Sequence, residues 1–403
     1  MSKRILFIGH DANRAGAQYL LLHLLTYLRQ AGIETALLLG SGGPLWPEYE
    51  QVTTVYAGFD PAEQNSQPGL LSRALRKVGL GNTNGQDTKK KVLEELLPAL
   101  KARQFDLIFS NTIANGELLR LLQPLNIPFV AYVHELETSI RIYTHPDALR
   151  YQLDNASLFL CGSEAVRSNL ISTHGLPARK ATVLNSFIQT QVLRNKLQHV
   201  DQAAVRTRLG IPADAVVVGG CGNAEWRKGV DLFVLLAQQV IKTHPDTYFI
   251  WVGVPKASEG YINLMYDLER MGLQTRVHLI EPGANYLDYV ACFDIFTLTS
   301  REDPYPLVIL EAGLNRIPVL CFQQSGGSPD YVGQDTGCLV PYSDVSAMAE
   351  VIRHLADNLA ERSRLGAIFY ERAMAHDTET LVPNLLTILD SMLHELSHHH
   401  GRR

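Results

Sequence analysis

Short apolar runs recur along this chain, and most are followed by a longer stretch of helical character. In the first half the runs fall at 4–9, 35–39, 106–110, 128–133 and 157–161. In the second half they fall at 215–220, 247–253, 277–280, 293–298 and 318–322. They are apolar nearly throughout rather than at every second residue, the pattern of strands covered on both faces. Between them lie amphipathic stretches such as 17–31 and 230–243. Alternation of this kind builds right-handed βαβ units on parallel sheets. The order restarts after about residue 210, which predicts an α/β chain of two doubly wound, Rossmann-like domains. The boundary is expected within 186–213, giving domains over 1–200 and 201–375.

Composition supports large cores. Of 403 residues, 46% are hydrophobic and 19% charged, which excludes disorder as the default. Cys161, Cys221, Cys292, Cys321 and Cys338 are odd in number and scattered through apolar runs, as expected of reduced core thiols rather than disulfides or a metal site. No run reaches the ~18 apolar residues of a spanning helix. The apolar run after Met1-Ser2-Lys3-Arg4 is too short for a signal-peptide core. A reduced, cytoplasmic protein is therefore expected, with no nucleic-acid partner. The charge is uneven: residues 1–200 carry +4 and residues 201–403 carry −9. Residues 61–95 interrupt the βα pattern with Gln, Asn, Gly and Lys. The segment Leu70–Val78 within them suits a small basic amphipathic helix, a candidate for peripheral contact with the inner face of a membrane or for a solvated insertion. His394, His398, His399 and His400 near the end are expected to form a tail rather than a metal site.

Several loops after strands carry chemistry. Gly9 and Gly16 flank a loop that opens a helix near Ala17, where backbone amides suit an anion or a sugar hydroxyl. It lacks the G-x-G-x-x-G order of a nicotinamide fingerprint. Gly219–Gly229 holds Asn223 and then Arg227-Lys228, cations that reach diphosphate oxygens, before a second helix start. Gln324–Asp330 contains Gly326 and Gly327, small enough for close backbone approach to a ligand, with a helix expected near Pro329. His134 ends the fifth apolar run, beside Glu135, where the ligand crevice of an open α/β sheet lies. It can bind a hydroxyl or move a proton. Glu302-Asp303-Pro304-Tyr305-Pro306-Leu307 precedes Glu311. Its prolines place Asp303 in a turn and Glu311 about two turns into a helix. Two carboxylates also suit acid/base glycoside hydrolysis. Each loop taken alone also suits a plain β-to-α turn.

Taken in order, these motifs resemble the retaining GT-B glycosyltransferases of family 4 over nearly the whole chain. Gly16-Ala17-Gln18 resembles the N-terminal glycine loop and Asn185 the asparagine of the interdomain segment. Gly222–Gly229 resembles G-R-L-x-x-x-K-G, Asp303–Glu311 resembles E-x7-E, and Gly326-Gly327 and Gly337 resemble the closing glycine elements. The resemblance implies two Rossmann-like domains facing a central cleft, with the last helix, about 376–396 within the segment 376–403, returning to the first domain. It implies a nucleotide-sugar donor, a UDP- or GDP-sugar, on the second domain. Glu311 would contact ribose, Asp303 the sugar and Lys228 the diphosphate, with Gly16, Asn223, Arg227, Glu302, Pro306, Leu307, Gly326 and Gly327 completing the donor site. His134, Lys228 and Asp303 are the implied catalytic group. A glycan or lipid-linked acceptor would enter near Gly16 and His134. No cofactor and no metal are implied, because cations and helix ends stabilise the leaving diphosphate.

Two departures mark this chain. The family's Arg after the loop glycine is Asn223, and its first Glu is Asp303, with Glu302 beside it. Asn223 motivates an alternative, a non-catalytic GT-B protein that only binds nucleotide sugar. A GT-B sugar-nucleotide epimerase is another. A carbohydrate-binding two-domain protein is disfavoured by the lack of an export signal.

Overall fold

The computed structural model describes residues 3–59 and 83–400, without side chains for 83–88 and 399–400. The segment Leu70–Val78 lies outside the described residues.

The chain divides into two compact units. Unit 1 comprises residues 1–184 and 382–403, and unit 2 comprises 185–381. The division falls at the head of the expected linker.

Unit 1 is built on seven parallel strands: β1 (Arg4–Gly9), β2 (Glu34–Leu39), β3 (Thr54–Ala57), β4 (Leu107–Ser110), β5 (Phe129–Val133), β6 (Leu158–Cys161) and β7 (Ala181–Val183). Their order is β3-β2-β1-β4-β5-β6-β7. The sequence doubles back beside β1, so β1 and β4 form the switch point where loops diverge and leave room for a ligand. The strands are apolar along their length because helices cover both faces. Leu6, Ile8, Val133, Phe159 and Cys161 join one buried cluster on one side.

Unit 2 repeats the plan with six parallel strands: β8 (Val217–Cys221), β9 (Tyr248–Val252), β10 (Val277–Ile280), β11 (Ile295–Leu298), β12 (Val319–Phe322) and β13 (Leu339–Val340), ordered β10-β9-β8-β11-β12-β13. Its switch point lies between β8 and β11. Gly219 and Gly220 in β8 make room for rings on opposite faces. A Cβ on Gly219 would sit 2.0 Å from Phe293, and one on Gly220 would sit 2.4 Å from Trp251.

The edge strands β3, β7 and β13 were not expected from the sequence. The long helix 378–400 carries buried Val382, Leu385 and Leu389. No helix among the described residues is long and apolar enough to cross a membrane.

Candidate functional site

In unit 1 the loop after β1 leads into the helix Gly16–Gln30, one residue earlier than expected. Ala15 caps this helix without a side-chain hydrogen bond, so its first amides are not satisfied by a cap. Gln18 is buried and donates to Asp11 Oδ1 at 2.5 Å, with its Nε2 3.0 Å from His10 Nε2. Asn111, just past β4, donates to the Ala17 carbonyl at 2.8 Å, and its Oδ1 accepts from His134 Nε2 at 3.3 Å. The glycine loop and His134 are thus brought together through Asn111, a residue the sequence reading passed over. Because Asn111 Oδ1 can only accept, His134 carries its proton on Nε2. Burial, and secondarily the nearby His10, lowers the His134 pKa to about 3. His134 is therefore a neutral ring, suited to holding a hydroxyl and a poor base at neutral pH. Beside it, burial pushes the Glu135 carboxyl up, although it accepts from Thr112 Oγ1, from the His134 amide at 2.8 Å and from the Ile113 amide at 3.4 Å.

In unit 2 the loop after β8 turns sharply at Gly222. Trp226–Lys228 form one 3-10 turn, and Gly229, left-handed at φ +67°, starts the helix Val230–Ile241. Gly229 has no substitute. A Cβ there would sit 2.0 Å from the Thr299 carbonyl, while Thr299 Oγ1 donates to the Gly229 carbonyl at 2.8 Å. This contact locks the loop after β8 to the end of β11. Arg301 adds a second lock. It donates to the Trp226 carbonyl at 2.8 Å, pairs with both oxygens of Asp231 at 2.9 and 2.7 Å, and lies 5.2 Å from the Trp226 ring centroid.

With the two loops locked, Lys228 Nζ meets Asp303 Oδ2 at 2.5 Å. Ser300 Oγ reaches the same oxygen at 3.2 Å. The side chains of Lys228 and Asp303 are 12% and 4% exposed, so this is a desolvated ion pair. Burial and then the neighbouring Arg227 charge lower the Lys228 pKa, against the opposing pull of Asp303. Asp303, rather than Glu302, occupies the buried position. Its amide donates to the Ser325 carbonyl at 2.7 Å, and its carbonyl accepts from the Gly327 amide at 3.1 Å. The pairing of Asp303 with Gly326 therefore draws the glycine loop into the same site. Asn223 is exposed and donates to Glu225 at 3.4 Å, and Arg227 donates to the same carboxylate at 2.8 Å.

Pro306 caps the helix Leu307–Leu314, so Glu311 is its fifth residue, just over one turn in rather than two. The late start follows from the second proline: Pro304 and Pro306 hold the chain extended until Leu307. All eight residues of this helix are buried. Tyr286 donates to Glu311 Oε1 at 2.6 Å, and burial raises the Glu311 pKa from 4.5 to about 7. Tyr286 lies in a five-residue helix whose sequence gave no signal. Cys221 lies near this charge pair, and burial pushes its thiol up to about 12, which leaves it unreactive. No group of three or more His, Cys, Asp or Glu among the described residues could hold a metal ion.

Residues 14–192 match the family model described as Glycosyltransferase Family 4, and residues 214–358 match that described as Glycosyl transferases group 1. The chain belongs to the GT-B glycosyltransferases of family 4. A D-inositol 3-phosphate glycosyltransferase of Kineococcus radiotolerans is 27% identical over 55% of this chain, and the match spans about half, 54%, of that protein. One from Corynebacterium aurimucosum is 24% identical over 74% of this chain and 75% of its own length. The crystal structure of Anabaena Alr3699/HepE in complex with UDP and glucose shares the fold with TM-score 0.77 at 20% identity, over 96% of this chain and 99% of that one. Within the family fold, the loops after β8, β11 and β12 hold the unit 2 residues, and those after β1, β4 and β5 hold the unit 1 residues.

Proposed function

We propose that this protein is a retaining, metal-independent glycosyltransferase that moves a sugar from a nucleotide-sugar donor to a glycan or lipid-linked acceptor on the cytoplasmic side of a membrane. The observation that carries the reading is the convergence of Lys228, Asp303, Gly327 and Glu311 at the carboxyl ends of adjacent strands of unit 2. The family likeness and the UDP held by the related fold support it.

In this reading Glu311, fixed by Tyr286, accepts hydrogen bonds from the ribose hydroxyls. Lys228 turns from Asp303 to the diphosphate, a site where a desolvated cation has its largest effect. Asp303, released in part, receives a sugar hydroxyl. The bond from the anomeric carbon to the phosphate oxygen breaks, and its electron pair stays on that oxygen. The acceptor oxygen bonds to the anomeric carbon on the same face, and its proton passes to the departing phosphate. No protein nucleophile is needed, and His134, neutral at working pH, positions the acceptor hydroxyl.

A thermal-shift panel of nucleotides and nucleotide sugars tests the donor site, since a ligand bound only by the native state raises the midpoint. If no nucleoside diphosphate shifts it, the reading fails. Donor and acceptor incubated together then separate the alternatives. Transfer with the donor's anomeric configuration kept supports the proposal. Binding without turnover points to the non-catalytic protein, and a changed free sugar nucleotide to an epimerase.

A further inference from the structure

Tyr305 lies between the two prolines of the donor turn, two residues after Asp303 and six before Glu311, and it is held at both ends. Its carbonyl accepts from Ser186 Oγ at 3.0 Å, and its hydroxyl lies 2.7 Å from His376 Nε2. His376 Nδ1 lies 2.8 Å from the Arg372 carbonyl, which can only accept, so Nδ1 bears the proton and Nε2 accepts from Tyr305. The His376 ring stacks on Tyr305 at 5.5 Å and meets Tyr331 edge-on at 5.8 Å.

The partners of Tyr305 sit where the chain enters and leaves unit 2. Ser186 is the second residue after the entry at Asn185, and His376 lies five residues before the exit at Leu381. These two segments are zipped together. Ile188 donates to the His376 carbonyl and Thr378 to the Ile188 carbonyl, each at 3.0 Å, and Thr190 Oγ1 bonds the Asp377 carboxylate. One side chain therefore connects the turn that carries Asp303 to both of the segments that join the units.

We infer that Tyr305 is a positioning residue that couples occupancy of the donor turn to the paired segments 185–190 and 376–378. Any shift of the turn when a sugar engages Asp303 moves the Tyr305 carbonyl and hydroxyl together. The zipper then tightens or loosens with it. By linkage, the state of the zipper sets the affinity of the turn for the donor sugar. The nucleotide, held by Glu311 and Lys228 on their own elements, is outside this coupling. This inference rests on the donor reading proposed above.

Amide hydrogen exchange of Ile188 and Thr378 reads the coupling directly. It is measured with and without UDP, UDP-glucose and GDP-mannose, in the wild type and in Tyr305→Phe. Tyr305→Phe keeps the ring packing and removes only the hydroxyl. A nucleotide sugar should change exchange at both amides in the wild type, the matching nucleoside diphosphate alone should change it little, and Tyr305→Phe should lose the sugar-dependent part. The variant should also raise the nucleotide-sugar KM about tenfold, the equivalent of one buried acceptor left unpaired, with nucleoside diphosphate affinity unchanged. His376→Gln, whose amide oxygen can accept from Tyr305, should restore most of the effect that His376→Ala abolishes. A sugar-dependent change that persists in Tyr305→Phe overturns the coupling, as does a wild type whose amides ignore every nucleotide sugar. A thermal-shift response to nucleoside diphosphate in that second case shows that the donor reading survives. Its absence shows that the donor reading has failed as well.

Discussion

Replacing Glu311 by Gln separates what this residue costs the fold from what it gives the site. The carboxyl is buried, and its pKa rises from 4.5 to about 7 mainly through desolvation. A raised folded-state pKa means that the native protein holds its proton where the unfolded chain has released it. The stability due to the neutral form is therefore complete below pH 4.5 and drains away as pH climbs through 7. Above that point the fold carries the ionised group at a cost of about 3 kcal/mol, the displacement of the pKa converted at 1.36 kcal/mol per pH unit. Gln keeps an acceptor for Tyr286 and cannot ionise. Glu311→Gln should then be more stable than the wild type, by about 1 kcal/mol at pH 5 and about 3 kcal/mol at pH 8. Urea unfolding at a series of pH values measures this difference. Nucleoside diphosphate affinity, measured calorimetrically at pH 8, should fall by about tenfold or more, because the amide presents a donor to the ribose where the carboxylate accepted. A stability difference that does not grow with pH refutes the burial argument. An unchanged affinity refutes the assignment of Glu311 to the nucleotide. Greater stability with weaker binding is the result that supports both, and it is the trade expected of a residue kept for its site.

Other expectations are as direct. Lys228→Met leaves Asp303 buried without its cation and should destabilise unit 2 by about 3 kcal/mol in chemical denaturation, besides abolishing nucleoside diphosphate binding. Gly229→Ala forces a Cβ onto the Thr299 carbonyl from a left-handed backbone, so a loss of about 2 kcal/mol or more should appear as a lowered thermal midpoint. His134→Ala should raise the acceptor KM and leave slow donor hydrolysis intact, a pair of rates read by product chromatography. Treatment with EDTA should leave the transfer rate unchanged in a continuous nucleoside diphosphate release assay.

The interior strands of both sheets are legible because parallel strands covered on both faces must be apolar along their length, and runs such as RILFIG and VHLI announce themselves. The edges are not. TVYA in β3 has one exposed and three half-buried residues, and β13 is only two residues long. Neither has a hydrophobic signature to find. The site divides in the same way. Glycines, paired cations and carboxylates after strands are visible because chemistry and backbone geometry restrict those positions to few residue types. Tyr286, Asn111 and His376 act through partners 25, 23 and 71 residues distant, so only the folded chain brings them into play. The depth of Glu311 in its helix was misjudged because two prolines, not one, delay the first turn.

The assignment of residues 382–403 to unit 1 has a consequence for how the chain is made. Unit 2 is continuous in sequence, and all of it has been synthesised before the last helix appears. Val382, Leu385 and Leu389, each buried to within 2% of completely, reach unit 1 only after unit 2 has been translated. The N-terminal half must therefore wait on the ribosome with part of its apolar surface uncovered, while the later half can already close its own core. Order of synthesis and order of completion run in opposite directions. The exposed surface of the waiting half makes it the part that depends most on chaperones during expression.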